Sequence, residues 1–336
     1  MKGTRCFEKI SAGAISPAMP ACVAVVVNAG GSQEVMEYLQ QMYSAQEFKV
    51  YLTETSLEKL PQVLARCHEA GIPAIVNCGK ALPPAATLLP TGAPYTASVV
   101  SPCSYGEMAD GVPDIISYII NDNWAAHAAC IGYQGYYFSP DKSRKLRERY
   151  FEQMRLGELR EEISLVEPVV RESRYTFLDF NAVRYSDYPA PWNTHPNGMY
   201  AEEICTLARY IGFGVAIKGV FLHSTPSSQE SSPICNRLVA ETIWHLCQAL
   251  ASNIIETPAA DGDDEHFIRK IISLEGNNEQ MVFINSSTTD RWWFEISVPE
   301  YKKTILVPCS INDYKSACCG DIPLRWLFFY QKYSIL

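Results

Sequence analysis

The apolar run Tyr175-Thr176-Phe177-Leu178 ends in Asp179-Phe180-Asn181. In an extended strand, side chains two apart point the same way, so Asp179 and Asn181 are expected to emerge together as a chelating pair of oxygen donors. The amide of Asn181 offers an oxygen but no charge to offset a cation. Asp179 has a simpler reading as well, because Asp at a strand end commonly caps the following turn through nearby backbone N–H groups. Two thiols have neighbours suited to nucleophilic chemistry, Cys103 beside Ser104 and Cys78 near Lys80. The turn Asn28-Ala29-Gly30-Gly31-Ser32 lies between a strand and a helix, where a phosphate can rest on free N–H groups. Without a complete G-x-G-x-x-G pattern and an acid at the next strand end, it reads as a tight βα turn.

Short β-rich runs must position these residues. Candidate strands are Cys22–Asn28, Phe48–Leu52, Ala74–Cys78, Ala97–Val100, Ala128–Tyr133, Thr176–Asp179 and Ile217–Leu222. Helix-compatible segments fall between them at Gln33–Tyr43, Leu57–Ala70, Asp141–Leu156, Tyr200–Ile211 and Pro233–Ala251. That alternation implies βαβ units, and so a three-layer α/β/α fold with a mostly parallel central sheet. Ligands of such sheets sit beyond the C-terminal ends of the strands, where Asp179 is placed. After the acidic turn Asp261–Glu265 the pattern changes to four strand-like runs, Phe267–Leu274, Gln280–Asn285, Trp292–Val298 and Thr304–Val307. The division expected is an α/β domain over 1–260 and a β-rich aromatic extension over 261–336 packed on it. The aromatic tail Arg325–Tyr330 should pack against the parent domain or a neighbouring subunit.

With 336 residues, 47% hydrophobic and 19% charged, the chain can bury a large core. A formal net charge of −9 opposes non-specific binding to nucleic acid or an anionic membrane, which leaves small molecules or proteins as partners. The twelve cysteines show no C-x-x-C pair and no zinc-finger spacing with the six histidines, so they read as mostly buried, reduced thiols. The Ala21–Val27 run is short, late and β-branched, a first strand rather than a signal peptide, and no run reaches the roughly 18 apolar residues of a membrane span. The expected compartment is the cytoplasm.

From about Cys130 onward the chain resembles the arginase-like ureohydrolase family, and within it the bacterial formimidoylglutamase-like branch. The matching segments are Ile131–Gln134, Phe177–Arg184, Pro196–Glu203, the helix Asn236–Trp244, and the tail Leu306–Tyr314 with Ile322–Trp326. The resemblance implies a central parallel sheet and, in active members, a manganese pair that activates a bridging water to attack a guanidinium or formimino carbon. Two divalent ions about 3.5–4 Å apart need several carboxylates to offset their charge.

The family pattern draws its ligands from a Gly-Gly-Asp-His-type turn, an Asp-Ala-His-x-Asp turn and an Asp-x-Asp strand end. By strand order the first corresponds to Cys78-Gly79-Lys80-Ala81-Leu82, which has no His and carries Lys80 where a cation would sit. The second corresponds to Ser101-Pro102-Cys103-Ser104-Tyr105, with neither acid nor His. Only the third survives, as Asp179 with Asn181 in place of the second acid, a vestigial metal site. The Glu that holds the cationic substrate in the family is replaced by His223 in His223-Ser224-Thr225-Pro226. A neutral His cannot form the bidentate charged pair that a carboxylate makes with a guanidinium. Glu203 corresponds to a substrate-contacting residue, and is read equally well as an acid favoured in a first helical turn. His245 reads as packed on an apolar helix, and His195 as exposed in its loop; His127 has no acid nearby in sequence.

Three functional expectations follow. The first is an arginase-like protein that has lost binuclear manganese hydrolase activity and serves as a binding or assembly module for a small molecule or protein, with no cofactor. The second is a manganese-dependent hydrolase of linear amidines such as formiminoglutamate, agmatine or arginine, with ligands drawn from Asp110, Asp114, Asp122, His127 and Asp179. The third makes the aromatic C-terminal extension an interface for homo-oligomers or another protein.

Overall fold

The computed structural model of the chain describes residues 4–104, 114–230, 232–259, 265–273, 280–298 and 303–334. Two compact units divide it, Met1–Ile254 and Ile255–Leu336. The strands of the first unit are β1 Thr4–Arg5, β2 Phe7–Lys9, β3 Ala24–Asn28, β4 Tyr43–Ser44, β5 Val50–Glu54, β6 Ala74–Asn77, β7 Tyr95–Val100, β8 Ala125–Tyr133, β9 Glu152–Arg155, β10 Tyr175–Asp179 and β11 Gly219–His223. Its helices are α1 Gln33–Gln41, α2 Leu60–Glu69, α3 Ile115–Asn121, α4 Pro140–Glu148, α5 Leu156–Glu161, α6 Glu167–Val170, α7 Ala201–Gly212 and α8 Pro233–Ala251.

Nine of these strands form one sheet in the order β2-β5-β3-β6-β11-β10-β7-β8-β9, and β1 pairs with β4 apart from it. Every neighbour pair in the nine-stranded sheet is parallel. A parallel sheet needs cover on both faces, and its central strands accordingly read as continuous apolar runs. In β3 the period of two sends Ala24 and Val26 to one face with Val35, Met36 and Leu39 of α1, and Val25 and Val27 to the other with Leu60 and Val63 of α2. The first core also takes Ile204 and Leu207 of α7 and Leu238 and Ile243 of α8; the second takes Ile116 and Ile119 of α3. The three-layer α/β/α expectation is met.

One local expectation needs correction. The segment 141–156 is not one helix: α4 stops at Glu148, Tyr150 adopts φ +50°, and Glu152–Arg155 returns as edge strand β9. Ser98 of β7 pairs with Ser173 across 2.5 Å in the buried layer.

The second unit is a four-stranded antiparallel sheet, β12 Phe267–Ser273, β13 Gln280–Ser286, β14 Trp292–Val298 and β15 Lys303–Cys309, in sequential order. Two helices follow that the sequence reading did not anticipate, α9 Ile311–Cys318 and α10 Leu324–Ser334. A capping box starts α9, with the Ser310 side chain accepting from Asp313 N–H and the Asp313 carboxylate accepting from Ser310 N–H. The aromatic tail packs on its own unit: Trp326 and Phe329 are buried with Phe283, Trp292 and Phe294 of the sheet. No helix among the described residues is long and apolar enough to cross a membrane.

Candidate functional site

Strands β10 and β11 run in register, Phe177 opposite Phe221 and Asp179 opposite His223. The two phenylalanine rings stack at 5.2 Å and 21° on the α2/α3 face of the sheet. Two residues further along each strand, Asp179 and His223 project to that same face at the C-terminal edge. Oδ1 of Asp179 stands 3.9 Å from Nδ1 of His223, too far for a direct hydrogen bond.

The strand ends at Asp179, and the chain turns at once into a short 3-10 segment, Phe180–Ala182. Asn181 therefore does not continue an extended strand, and the chelating pair expected from alternation is not formed in that way. Asp179 caps the turn instead: Oδ1 accepts the Asn181 backbone N–H at 3.0 Å. Its Oδ2 lies 3.4 Å from the hydroxyl of Ser101, the first residue after β7, and Asp179 is fully buried. The side chain of Asn181 donates to Ser224 Oγ at 3.2 Å.

Ser224, just past β11, has φ +56°, a left-handed conformation that a non-glycine residue adopts at a cost of about 1–3 kcal/mol. Its surroundings hold it there. The Tyr188 hydroxyl donates to its carbonyl at 2.9 Å, the Trp192 indole N–H reaches the same oxygen at 3.3 Å, and the next residue, Thr225, donates to Asn77 Oδ1 at 2.6 Å. Ser224 Oγ lies 3.3 Å from His223 Nδ1. The other ring nitrogen, Nε2, is buried and has no hydrogen-bond partner among the described residues. Burial pulls the His223 pKa below its ordinary 6.5, with the Asp179 charge opposing in part, so the ring is neutral at pH 7.

Above these groups opens a cleft of about 280 Å³. Its polar floor is Ser101, Asn181, His223 and Ser224; Leu82, Pro83, Ile115 and Ile116 contribute apolar wall. Lys80 lines it from the turn after β6, half-exposed, with Nζ 3.2 Å from Glu230 and 5.1 Å from the Trp192 ring centre. The ends of β6, β11, β10 and β7, adjacent in the sheet, thus bring together the turns singled out in the sequence. The apolar wall from α3 was missed, although Ile115-Ile116 and Ile119-Ile120 recur at helical spacing.

The remaining candidates are placed elsewhere or otherwise engaged. Glu203 accepts the Tyr200 N–H at 2.8 Å in the capping box of α7, lies 3.5 Å from Arg160, and does not line the cleft. Asp114 lines the cleft, but its carboxylate caps α3 through Ser117 N–H and pairs with Lys142. Asp122 accepts the hydroxyl of Tyr95, the first residue of β7, at 2.7 Å, and His127 pairs with Glu152, the first residue of β9, at 3.0 Å. In the sheet register Tyr95 and His127 lie six and five residues before the level of Asp179, roughly 20 and 17 Å by strand rise, so these pairs do not complete a site with it. Asp110 lies outside the described residues. In the turn after β3, Ala29 and Gly30 donate to the Asn77 carbonyl and Ser32 to the Pro226 carbonyl, which uses the N–H groups a phosphate would need. Burial raises the Cys78 thiol far above its ordinary range, away from nucleophile character.

The manganese pair implied by the resemblance can be tested against these donors. Among the described residues no group of three or more His, Cys, Asp or Glu side chains could hold a metal ion. The described partners of Asp179 include a backbone N–H, a hydroxyl and a neutral imidazole, and these do not offset cationic charge. The residues described do not fit a binuclear centre.

No protein-family profile matches the sequence, and no curated protein matches it. Solved structures do. A formiminoglutamase from Trypanosoma cruzi, determined with manganese, is similar at 14% identity and TM-score 0.58, over 75% of this chain and 99% of that one. A formimidoylglutamase from Bacillus subtilis matches at 12% identity and TM-score 0.55, over 74% and 92%. An agmatine ureohydrolase of Thermoplasma volcanium matches at 14% identity and TM-score 0.50, over 71% and 94%. At such identities the likeness speaks to architecture, and the resemblance carried by the sequence motifs holds at that level: this chain has the fold of the formiminoglutamases and agmatinases of the arginase superfamily.

Proposed function

We propose that the protein is an arginase-like binding module, whose cleft at the C-terminal edge of the sheet takes a small molecule, and that it does not hydrolyse amidines through paired manganese ions. The observation that carries this reading is the company of Asp179, a fully buried carboxylate whose described neighbours include Ser101, Asn181 and a neutral His223, with no cluster of further carboxylates or imidazoles among the described residues. Two divalent cations set among them would be left largely uncompensated, at a cost far above what neutral oxygens return. Asp114, the second carboxylate of the cleft, is engaged by Lys142 and the α3 N-terminus, which supports the same reading. Twelve free cysteines, nine of them buried, fit a reducing compartment such as the cytoplasm.

The test is direct. Protein purified with excess manganese, then freed of loose metal, is expected to carry no stoichiometric manganese and to leave arginine, agmatine and formiminoglutamate intact. Two equivalents per chain together with hydrolysis of any of the three would sink the reading in favour of a linear-amidine hydrolase.

A further inference from the structure

We propose that the cleft selects an uncharged ligand with an N–H donor and a carbonyl acceptor, a urea or amide on a small apolar body, and rejects the cationic guanidinium of the same shape. This rests on the reading of the cleft as a binding site and adds the chemistry of its occupant.

The argument starts from the imidazole. His223 is 9% exposed, lines the cleft, and its Nε2 has no partner among the described residues. A buried polar atom without a partner costs about 1–3 kcal/mol, so a group that supplies the missing bond is bound the more tightly for it. The polarity of that bond follows from the other nitrogen. Nδ1 faces Ser224 Oγ, which can donate or accept, at 3.3 Å and the Asp179 carboxylate, which only accepts, at 3.9 Å; the carboxylate favours the proton on Nδ1. Nε2 then offers a lone pair, and the ligand must bring the N–H.

Charge is decided by the rest of the wall. A guanidinium entering here would leave water for a mostly apolar lining, and only a carboxylate meeting it in bidentate fashion offsets that loss. Asp179 is fully buried beneath the floor and Asp114 is held by Lys142, so neither presents that face. The ammonium of Lys80 stands on the same wall; its pairing with Glu230 at 3.2 Å reduces its repulsion of a cation, and its remaining N–H groups can donate to a carbonyl. A urea or amide satisfies both ends, its N–H on His223 and its C=O toward Lys80.

Phenylurea and phenylguanidinium form a matched pair, compared by ligand-observed NMR titration against the full-length, chelator-treated protein. Phenylurea is expected to bind at least about tenfold more tightly, the discrimination of a site built around one buried hydrogen bond and one like charge. His223→Leu should abolish phenylurea binding while His223→Gln, which keeps an acceptor, retains it. Lys80→Gln, at an exposed position that leaves the fold undisturbed, should narrow the preference by weakening the urea and admitting the cation. Equal or tighter binding of phenylguanidinium, absence of phenylurea binding at millimolar concentration, or a folded His223→Leu variant that binds like wild type would each overturn the proposal. The binding-module reading fails separately, on stoichiometric manganese with amidine hydrolysis, whichever compound binds.

Discussion

Gly79 packs against Gly30 so closely that a Cβ built on Gly79 would stand 2.2 Å from the Gly30 carbonyl oxygen. The two residues belong to the turns after β6 and β3, neighbours in the sheet, and Gly79 has φ +75°. The contact sets the path of the turn that carries Lys80 to the cleft.

Gly79→Ala should therefore be costly twice over, through its left-handed backbone and through collision with a backbone atom that cannot rotate away. The control is Gly92→Ala, with φ +81° but nothing within 4 Å of the added Cβ. Urea denaturation should show about 1 kcal/mol lost for Gly92→Ala and at least about 2 kcal/mol more for Gly79→Ala. Equal losses would mean the two turns do not constrain each other.

A second expectation concerns Asp179 as a structural cap. Asp179→Ala removes the acceptor of the Asn181 N–H and leaves a buried donor unsatisfied, so the loss should be about 1–3 kcal/mol. Asp179→Asn keeps an oxygen at the same place and should lose less. A cation held by native protein alone would raise its melting temperature by mass action. Millimolar manganese is expected to leave the melting temperature of wild type and both variants unchanged; a rise confined to wild type would restore Asp179 as a ligand.

Much of this architecture was legible because a parallel sheet buried on both faces writes itself as β-branched runs such as Ala24–Val27, alternating with amphipathic segments. Edge strand β9 was not, because Glu152–Arg155 is polar and only half-buried, and nothing in Glu-Gln-Met-Arg distinguishes it from the end of α4. Helix α10 was hidden by the aromatic character of 325–330, which favours strands locally while packing of Trp326 and Phe329 decides for helix. In the site, residue types located Asp179, His223 and Lys80 at strand ends. The capping role of Asp179 was legible too, from the habit of Asp at a strand end; the contacts of Tyr188 and Trp192 with the Ser224 carbonyl are tertiary, and no local pattern encodes them.

Stability should also depend on pH through three histidines. Burial lowers the pKa of His195, His223 and His245 from the ordinary 6.5, with Asp179 opposing for the first two and Arg209 reinforcing for the third. The unfolded chain thus takes up these protons first as pH falls. Stability is complete above about pH 6.5 and declines as the pH drops through the lowered folded-state values. Thermal melts between pH 8 and 5 should show a falling midpoint below 6.5, and His245→Gln, which leaves the cleft untouched, should make the decline shallower. A midpoint flat across that range would show the histidines to be solvated.

The cysteines supply the last expectation. Burial pushes the Cys67 thiol up to about 12 and Cys205 up to about 11, and drives Cys78, Cys130 and Cys247 higher still. Since the thiolate is the reactive form, these groups are protected both by exclusion of the reagent and by the cost of ionisation. Cys318 and Cys319, at the end of α9, are exposed. An aromatic disulfide reagent at pH 8 should therefore react with two thiols per chain within minutes, and peptide mapping should place both labels at 318 and 319. The others should follow only with denaturant. Rapid modification of Cys78 or Cys103 in the native protein would mean that the floor of the cleft opens to solvent, and with it the enclosure that leaves His223 Nε2 waiting for a ligand's N–H.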